Sequence, residues 1–389
     1  MYRQLNIDPP SLVSNFYQKF MSQVIGQPHL AHTLAELFGA ISAKACNPTK
    51  PSGMVFIAGQ TGVGKSLAAR TWSKLTLGYE EALVKVDCEA LIADHTSAQI
   101  VGAPPGYVGH KDTIPLLSQV NIELKRDPRF PIVPISFEEI EKAPITLYNI
   151  LLGLEVGQIT LADNSVTDLR DTVIFFTSNI GGRELQRALT GRIGFNQRRS
   201  DYEPGDQEEL KEIVLKAAKK HFPPEFLNRL DEFIVCMPLT REDTERVLDL
   251  EIKRYQKLLY VQDPKSSPIF TCGPHLKAKM LDKGYSEEYG ARQMRRTVER
   301  FLKPVITGLK LNGGFHIQAE HILIDILPGR QEIFAAVDES ISAHKNLALR
   351  DQLAKECLNL EFSMERGNLD RHQSRRELVD RIHKRLRRK

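Results

Sequence analysis

Eight residues constrain this chain more than any others: Gly59-Gln60-Thr61-Gly62-Val63-Gly64-Lys65-Ser66. They follow an apolar run, Met54 to Ala58, that reads as a buried strand. They open a segment, Lys65 to Leu77, that reads as a helix. Strand, glycine-rich turn and helix in that order are the setting a phosphate loop needs. The glycines let the backbone N–H groups from Thr61 to Gly64 turn toward phosphate without side-chain obstruction. The helix N-terminus, Lys65-Ser66-Leu67, adds about half a positive charge. The pattern assigns Lys65 to the β- and γ-phosphates of ATP and Ser66 to Mg²⁺.

Further apolar runs at Leu83–Asp87, Pro131–Ile135, Thr172–Thr177 and Phe233–Cys236 alternate with helical segments. This predicts an α/β fold over residues 21–238, a parallel sheet flanked by helices, after a lead segment 1–20. Beyond the run that ends at Ile135 lie two acids, Glu138 and Glu139, suited to organising Mg²⁺ and activating a water. Pro134 lies inside that run, where a proline removes a ladder hydrogen bond. After Pro238 the pattern predicts a smaller, mainly helical unit over 239–328. Its helices are Thr240 to about Leu259, His275 to about Lys283 and Ala291 to about Leu311, with one strand, His321–Asp325. Residues 329–389 read as a helical tail with Leu349, Leu353, Leu360 and Met364 at helical spacing.

Charge and composition narrow the setting. Residues 341–389 hold 13 Lys and Arg against 7 Asp and Glu, so this part carries +6 and the remainder −2. A solvated helix face is the favoured reading of that basic tail, and a nucleic-acid contact the weaker one. No apolar run is long enough to span a membrane. The five cysteines form no C-x-x-C pair, which argues against a disulfide framework or zinc site and for a reducing cytoplasm.

The motifs, in this order, resemble the C-terminal ATPase module of the Clp chaperones, from about Val24 to Leu327. Val24-Ile25-Gly26-Gln27 resembles the family's adenine-contacting entry. The segment Gly102 to Gly109, with Tyr107 and Val108, resembles its central pore loop. Glu138 to Ala143 is similar to the Walker B region, Thr177-Ser178-Asn179 to sensor 1, Pro224 to Arg229 to the arginine-finger segment, and Gly290-Ala291-Arg292 to sensor 2. The resemblance implies that Val24 and Ile25 touch the nucleotide and that Glu139 and Asn179 act on the attacking water. It implies that Arg229 reaches a neighbouring subunit's phosphate and that Arg292 reports the nucleotide from a helical lid. It further implies a homo-hexameric ring whose pore grips polypeptide through Tyr107. Glu138 departs from the family pattern, which has aspartate there.

Only about 20 residues precede the motif region, so a single-ring form is expected, with substrate choice coming from an adaptor, from the pore or from the tail. Ile193-Gly194-Phe195 falls where degradative members carry a peptidase-docking tripeptide. The leading expectation is an ATP-dependent unfoldase. The alternatives are a nucleotide-dependent assembly scaffold with slow turnover, and the ATPase subunit of a two-component protease.

Overall fold

The computed structural model describes residues 11–91, 100, 102, 114–128, 130–192, 204–264, 266–286, 290–312, 320–327, 332–342 and 345–355, the side chains of 189–192 and 204–207 excepted. Tyr107, Val108, Ile193, Gly194, Phe195 and most of the basic tail lie outside these residues. The chain divides into two compact units, one running to Pro238 and one from Leu239, with Thr61–Val63 grouped with the second.

The first unit is built on five parallel strands: β1 (Gly53–Gly59), β2 (Val84–Asp87), β3 (Val133–Glu138), β6 (Thr172–Ser178) and β7 (Glu232–Cys236), in the order β2-β3-β6-β1-β7. A short antiparallel pair, β4 (Gln158–Thr160) and β5 (Val166–Asp168), lies outside this sheet. Every residue of β1 and β6 is buried, which is why both read as unbroken apolar runs instead of alternating ones. One face of the sheet is covered by α1 (Ser11–Met21), α2 (Pro28–Ser42) and α3 (Lys65–Leu77), joined through an aromatic cluster. Fully buried Trp72 of α3 meets Phe16 at 5.3 Å and Phe175 of β6 at 5.8 Å. On the other face Phe56 of β1 stacks on Phe233 and meets Phe222 edge-on at 5.3 Å.

Pro134 is accommodated inside β3. Val133 donates its N–H to Asp171 on the β6 side, so the next nitrogen, that of Pro134, points toward β2. There the ladder begins only with Val84↔Ile135. The donor that proline lacks therefore has no strand partner to lose.

The second unit pairs β8 (Ile269–Cys272) parallel and β10 (Ile333–Val337) antiparallel to a central β9 (His321–Ile326). Helices Arg241–Gln262, Pro274–Gly284 and Met294–Asn312 pack on this sheet around Leu276, Met280, Met294, Val298 and Ile324. The first opens with a capping box, Thr240 and Asp243 exchanging side-chain-to-backbone bonds. Two of the three strands differ from the single strand expected, and β10 falls where a helical tail was expected. A helix over 345–355 follows. Its Arg350 is buried and donates to the carbonyls of Pro264 and Ser267.

Candidate functional site

The phosphate loop leaves β1 at its carboxyl end. Gly59 takes φ +147°, and a Cβ there would lie 2.7 Å from the carbonyl oxygen of Cys236, so the approach of β7 admits only glycine. Gly64, the residue that opens α3, takes φ +104°, again a glycine conformation. Val24 Cγ1 would be 3.5 Å from a Cβ at Gly64, which places Val24 against the loop; Val24 and Ile25 are both buried. Gln27, a residue the sequence assigned no contact, fixes this entry segment. Its amide donates to the Met237 carbonyl at 2.8 Å and accepts from the Met237 N–H at 3.0 Å, just past β7.

Lys65 is 8% exposed, and its ammonium donates to Gly59 O at 2.8 Å, Gln60 O at 2.6 Å and Asn179 Oδ1 at 2.9 Å. The last contact follows from register. Ala58 pairs with Ser178, so the loop after β1 and Asn179 after β6 emerge side by side. Ser66 is half-buried in the first turn of α3, and Leu67 beside it is exposed.

The acids emerge from the next strand. Phe137 pairs with Phe176, which brings the end of β3 level with Thr177, and Glu139 donates its N–H to Thr177 Oγ1 at 3.3 Å. Glu139 has φ +55°, a left-handed conformation that costs a non-glycine residue about 1–2 kcal/mol. Strain of this kind gathers at functional turns. Its carboxylate pairs with Lys142 at 2.6 Å. Hydrogen bonds that it donates to Glu139 and then Glu89 hold the Lys142 ammonium well above the usual lysine range.

Glu138 differs from its neighbour. One oxygen, Oε2, pairs with Lys85 of β2 at 2.9 Å, while Oε1 is buried with no hydrogen-bond partner among the described residues. Glu141, which sequence reasoning passed over, accepts the Asn179 N–H on Oε1 at 3.0 Å, and its carbonyl meets His221 Nε2 at 2.8 Å. Glu141 thus orients the backbone of the very residue that holds Lys65.

Arg229 follows the short helix Pro224–Leu227, whose Phe226 is locked against Phe176 at 5.1 Å and Tyr148 at 5.4 Å. Its guanidinium donates to Glu225 O and, at 2.9 Å, to Glu155 Oε2. Arg292 belongs to the second unit and is exposed ahead of helix Met294–Asn312. Burial pushes the thiols of Cys88, Cys236 and Cys272 up to about 12, so none of these three is a thiolate at neutral pH.

Phosphate loop, acid-ended strand and asparagine-ended strand, all at the carboxyl edge of one parallel sheet, define an AAA+ ATPase. Residues 50–233 match the family model described as AAA domain (Cdc48 subfamily), and a nucleotide is the ligand of that class. Within it the chain belongs to the Clp family. Residues 239–324 match the C-terminal, D2-small domain, of ClpB protein. The chain is similar to the ATP-dependent Clp protease ATP-binding subunit ClpC of Staphylococcus epidermidis (strain ATCC 12228 / FDA PCI 1200), at 32% identity over 312 residues, 80% of this chain and 36% of that protein. The protein of the same name from Staphylococcus aureus (strain USA300) is 33% identical over 304 residues, 78% of this chain and 35% of its own length. The chain thus spans little more than a third of these relatives.

Proposed function

We propose that the protein is an ATP-driven remodeller of polypeptides that works as a homo-hexameric ring. The observation that carries this reading is the 2.9 Å bond between Lys65 and Asn179 beside the strained Glu139. It gathers a phosphate-binding cation, an amide and a carboxylate at one sheet edge. We read residues 21–238 as the ATPase domain and 239–328 as its lid, whose sheet is extended by β10 and flanked by the 345–355 helix from the segment 329–389.

Mg²⁺ fits the residues present. Glu138 offers a buried carboxylate oxygen without a partner, and Ser66 offers a hydroxyl on the first turn of α3. When bound, the cation neutralises charge on the β- and γ-phosphates and orients them for in-line attack. Lys65 exchanges its carbonyl acceptors for phosphate oxygens. Glu139 takes the proton of the attacking water, and Asn179 holds that water in line. Arg229 acts on the adjacent subunit's nucleotide, and Arg292 reports nucleotide state from the lid. Tyr107 and Val108 grip the polypeptide in the pore. Among the described residues no helix is long and apolar enough to cross a membrane, and we place the ATP-consuming ring in the cytoplasm.

The test is Glu139→Gln. ATP should still bind within about twofold of wild type, while turnover falls roughly 100-fold or more, the scale of lost general-base catalysis. A mutant hydrolysing ATP as fast as wild type would overturn the reading. Tyr107→Ala should abolish unfolding of a tagged test protein and leave ATPase intact.

The nature of the relatives favours a second reading: they are ATP-binding subunits of the Clp protease. On it, Ile193-Gly194-Phe195 would dock a separate peptidase ring, and Phe195→Ala would uncouple degradation from unfolding.

A further inference from the structure

Arg229 is held from two sides within its own subunit. Glu225 O accepts from Nη1, and the Glu155 carboxylate accepts from Nη2 at 2.9 Å, while Nε is buried without a partner among the described residues. The Arg229 side chain is 20% exposed and that of Glu155 70% exposed. The two residues are 74 positions apart, and packing brings them together.

The place of Glu155 is fixed by the turn that carries it. The 3₁₀ turn Leu152–Val156 continues helix Ile145–Leu151 and is pinned by buried Leu151 and Leu154. A Cβ at Gly153 would lie 2.3 Å from Gln158 O, so the turn closes tightly on β4. On the other side, Phe226 positions the short helix before Arg229. The Tyr148–Phe226 contact joins the two supports, because Tyr148 belongs to the helix that leads into the Glu155 turn. Carboxylate and guanidinium therefore meet at a separation that the core sets.

An ion pair with one partner so exposed contributes little to stability, so stability does not account for the arrangement. A carboxylate that fixes a cation's direction does. We propose that Glu155 is a positioning residue for Arg229, holding the guanidinium in the direction from which it serves the neighbouring subunit's triphosphate. This rests on the reading of Arg229 as a residue acting in trans. Glu155 itself touches no nucleotide. It does for the arginine what an orienting carboxylate does for a general base: it removes rotational freedom before the reaction, and small misplacements of a reacting group are costly.

Four variants of the intact chain test this. Glu155→Ala should lower kcat for ATP about tenfold, a fraction of what an arginine finger supplies. KM for ATP, nucleotide affinity and melting temperature should stay within twofold or within 2 °C of wild type, roughly. Glu155→Gln keeps a hydrogen-bond acceptor and should recover part of the lost rate. The decisive readout is subunit mixing. E155A subunits have an intact pocket and a misdirected arginine, whereas E139Q subunits have a dead pocket and an intact arginine. Mixed rings should turn over faster than the weighted sum of the two alone, because E139Q neighbours supply the arginine that E155A pockets lack. Wild-type or higher kcat in E155A, or no gain on mixing, overturns the proposal. Arg229→Ala separates the two readings. If R229A hydrolyses at full rate, the trans-acting arginine itself is wrong; if R229A is inactive while E155A is normal, only the role of Glu155 falls.

Discussion

On the reading proposed above, Lys85 and a magnesium ion would compete for the same carboxylate. Glu138 gives one oxygen to Lys85 and leaves the other without a partner among the described residues, so a dication arriving there would meet an acid already half-neutralised. Lys85 is itself 50% exposed, and solvent screening keeps the effect small. Lys85→Met should therefore lower the Mg²⁺ concentration that half-saturates nucleotide binding by about two- to fivefold. Titration of a fluorescent ATP analogue against Mg²⁺ measures this, and a higher Mg²⁺ requirement would show that Lys85 orients Glu138 instead of competing for it. Much of this site is legible in the sequence, because the phosphate loop, the acids and Asn179 belong to contiguous motifs on successive strand ends. The residues that tune them are not. Lys85 reaches Glu138, Glu141 reaches Asn179 and Glu155 reaches Arg229 across long stretches of chain, and each looks like an ordinary surface charge until the fold brings it in.

At the scale of elements, sequence patterns locate the buried strands best because continuous apolar runs are hard to mistake. The strands they miss are short and poorly marked. β8 is four residues after Ser266-Ser267-Pro268, and β10 is half-exposed, so neither shows a run or a clean alternation. Yet β9, which they flank, carries the acid sensitivity of the second unit. Burial among β9, β10 and the 345–355 helix holds His321 below its ordinary pKa of 6.5. Burial would raise Asp325, but N–H donors from Leu276, at 2.7 Å, and Ile326, with His275, bring it below its ordinary 3.8. Both groups bind protons more weakly folded than unfolded, so their stabilisation is present above the ordinary values and is lost as pH falls. The loss should begin near pH 6.5 through His321 and continue below about pH 4 through Asp325. Helical CD melts between pH 7.5 and 5 should show it, and His321→Gln should flatten that slope. Fluorescence of Trp72, the single tryptophan and a buried residue of the first unit, is the control that should not move with His321.

For the whole molecule the deciding question is where the last positive charge of the catalytic set comes from. Lys65, Glu139 and Asn179 are supplied by one chain at one sheet edge. The guanidinium of Arg229 is bonded instead to Glu155 and to the Glu225 carbonyl, neither of which belongs to the phosphate loop. On the reading proposed above, the pocket borrows its arginine from another copy and is incomplete in a monomer, so turnover would be a property of the assembly. ATPase activity per subunit should then rise with protein concentration over the same range in which light scattering shows the mass increasing, and should plateau once assembly is complete. Arg229→Ala should follow the same mass curve and stay at the monomer's rate, since it removes a charge without touching its own nucleotide pocket. Glu139→Gln should favour assembly, because nucleotide that binds and is not hydrolysed stabilises whichever state holds it more tightly. Specific activity that stays constant on dilution into the monomer range would mean that one chain completes its own site, and a ring-dependent motor could not be built on it.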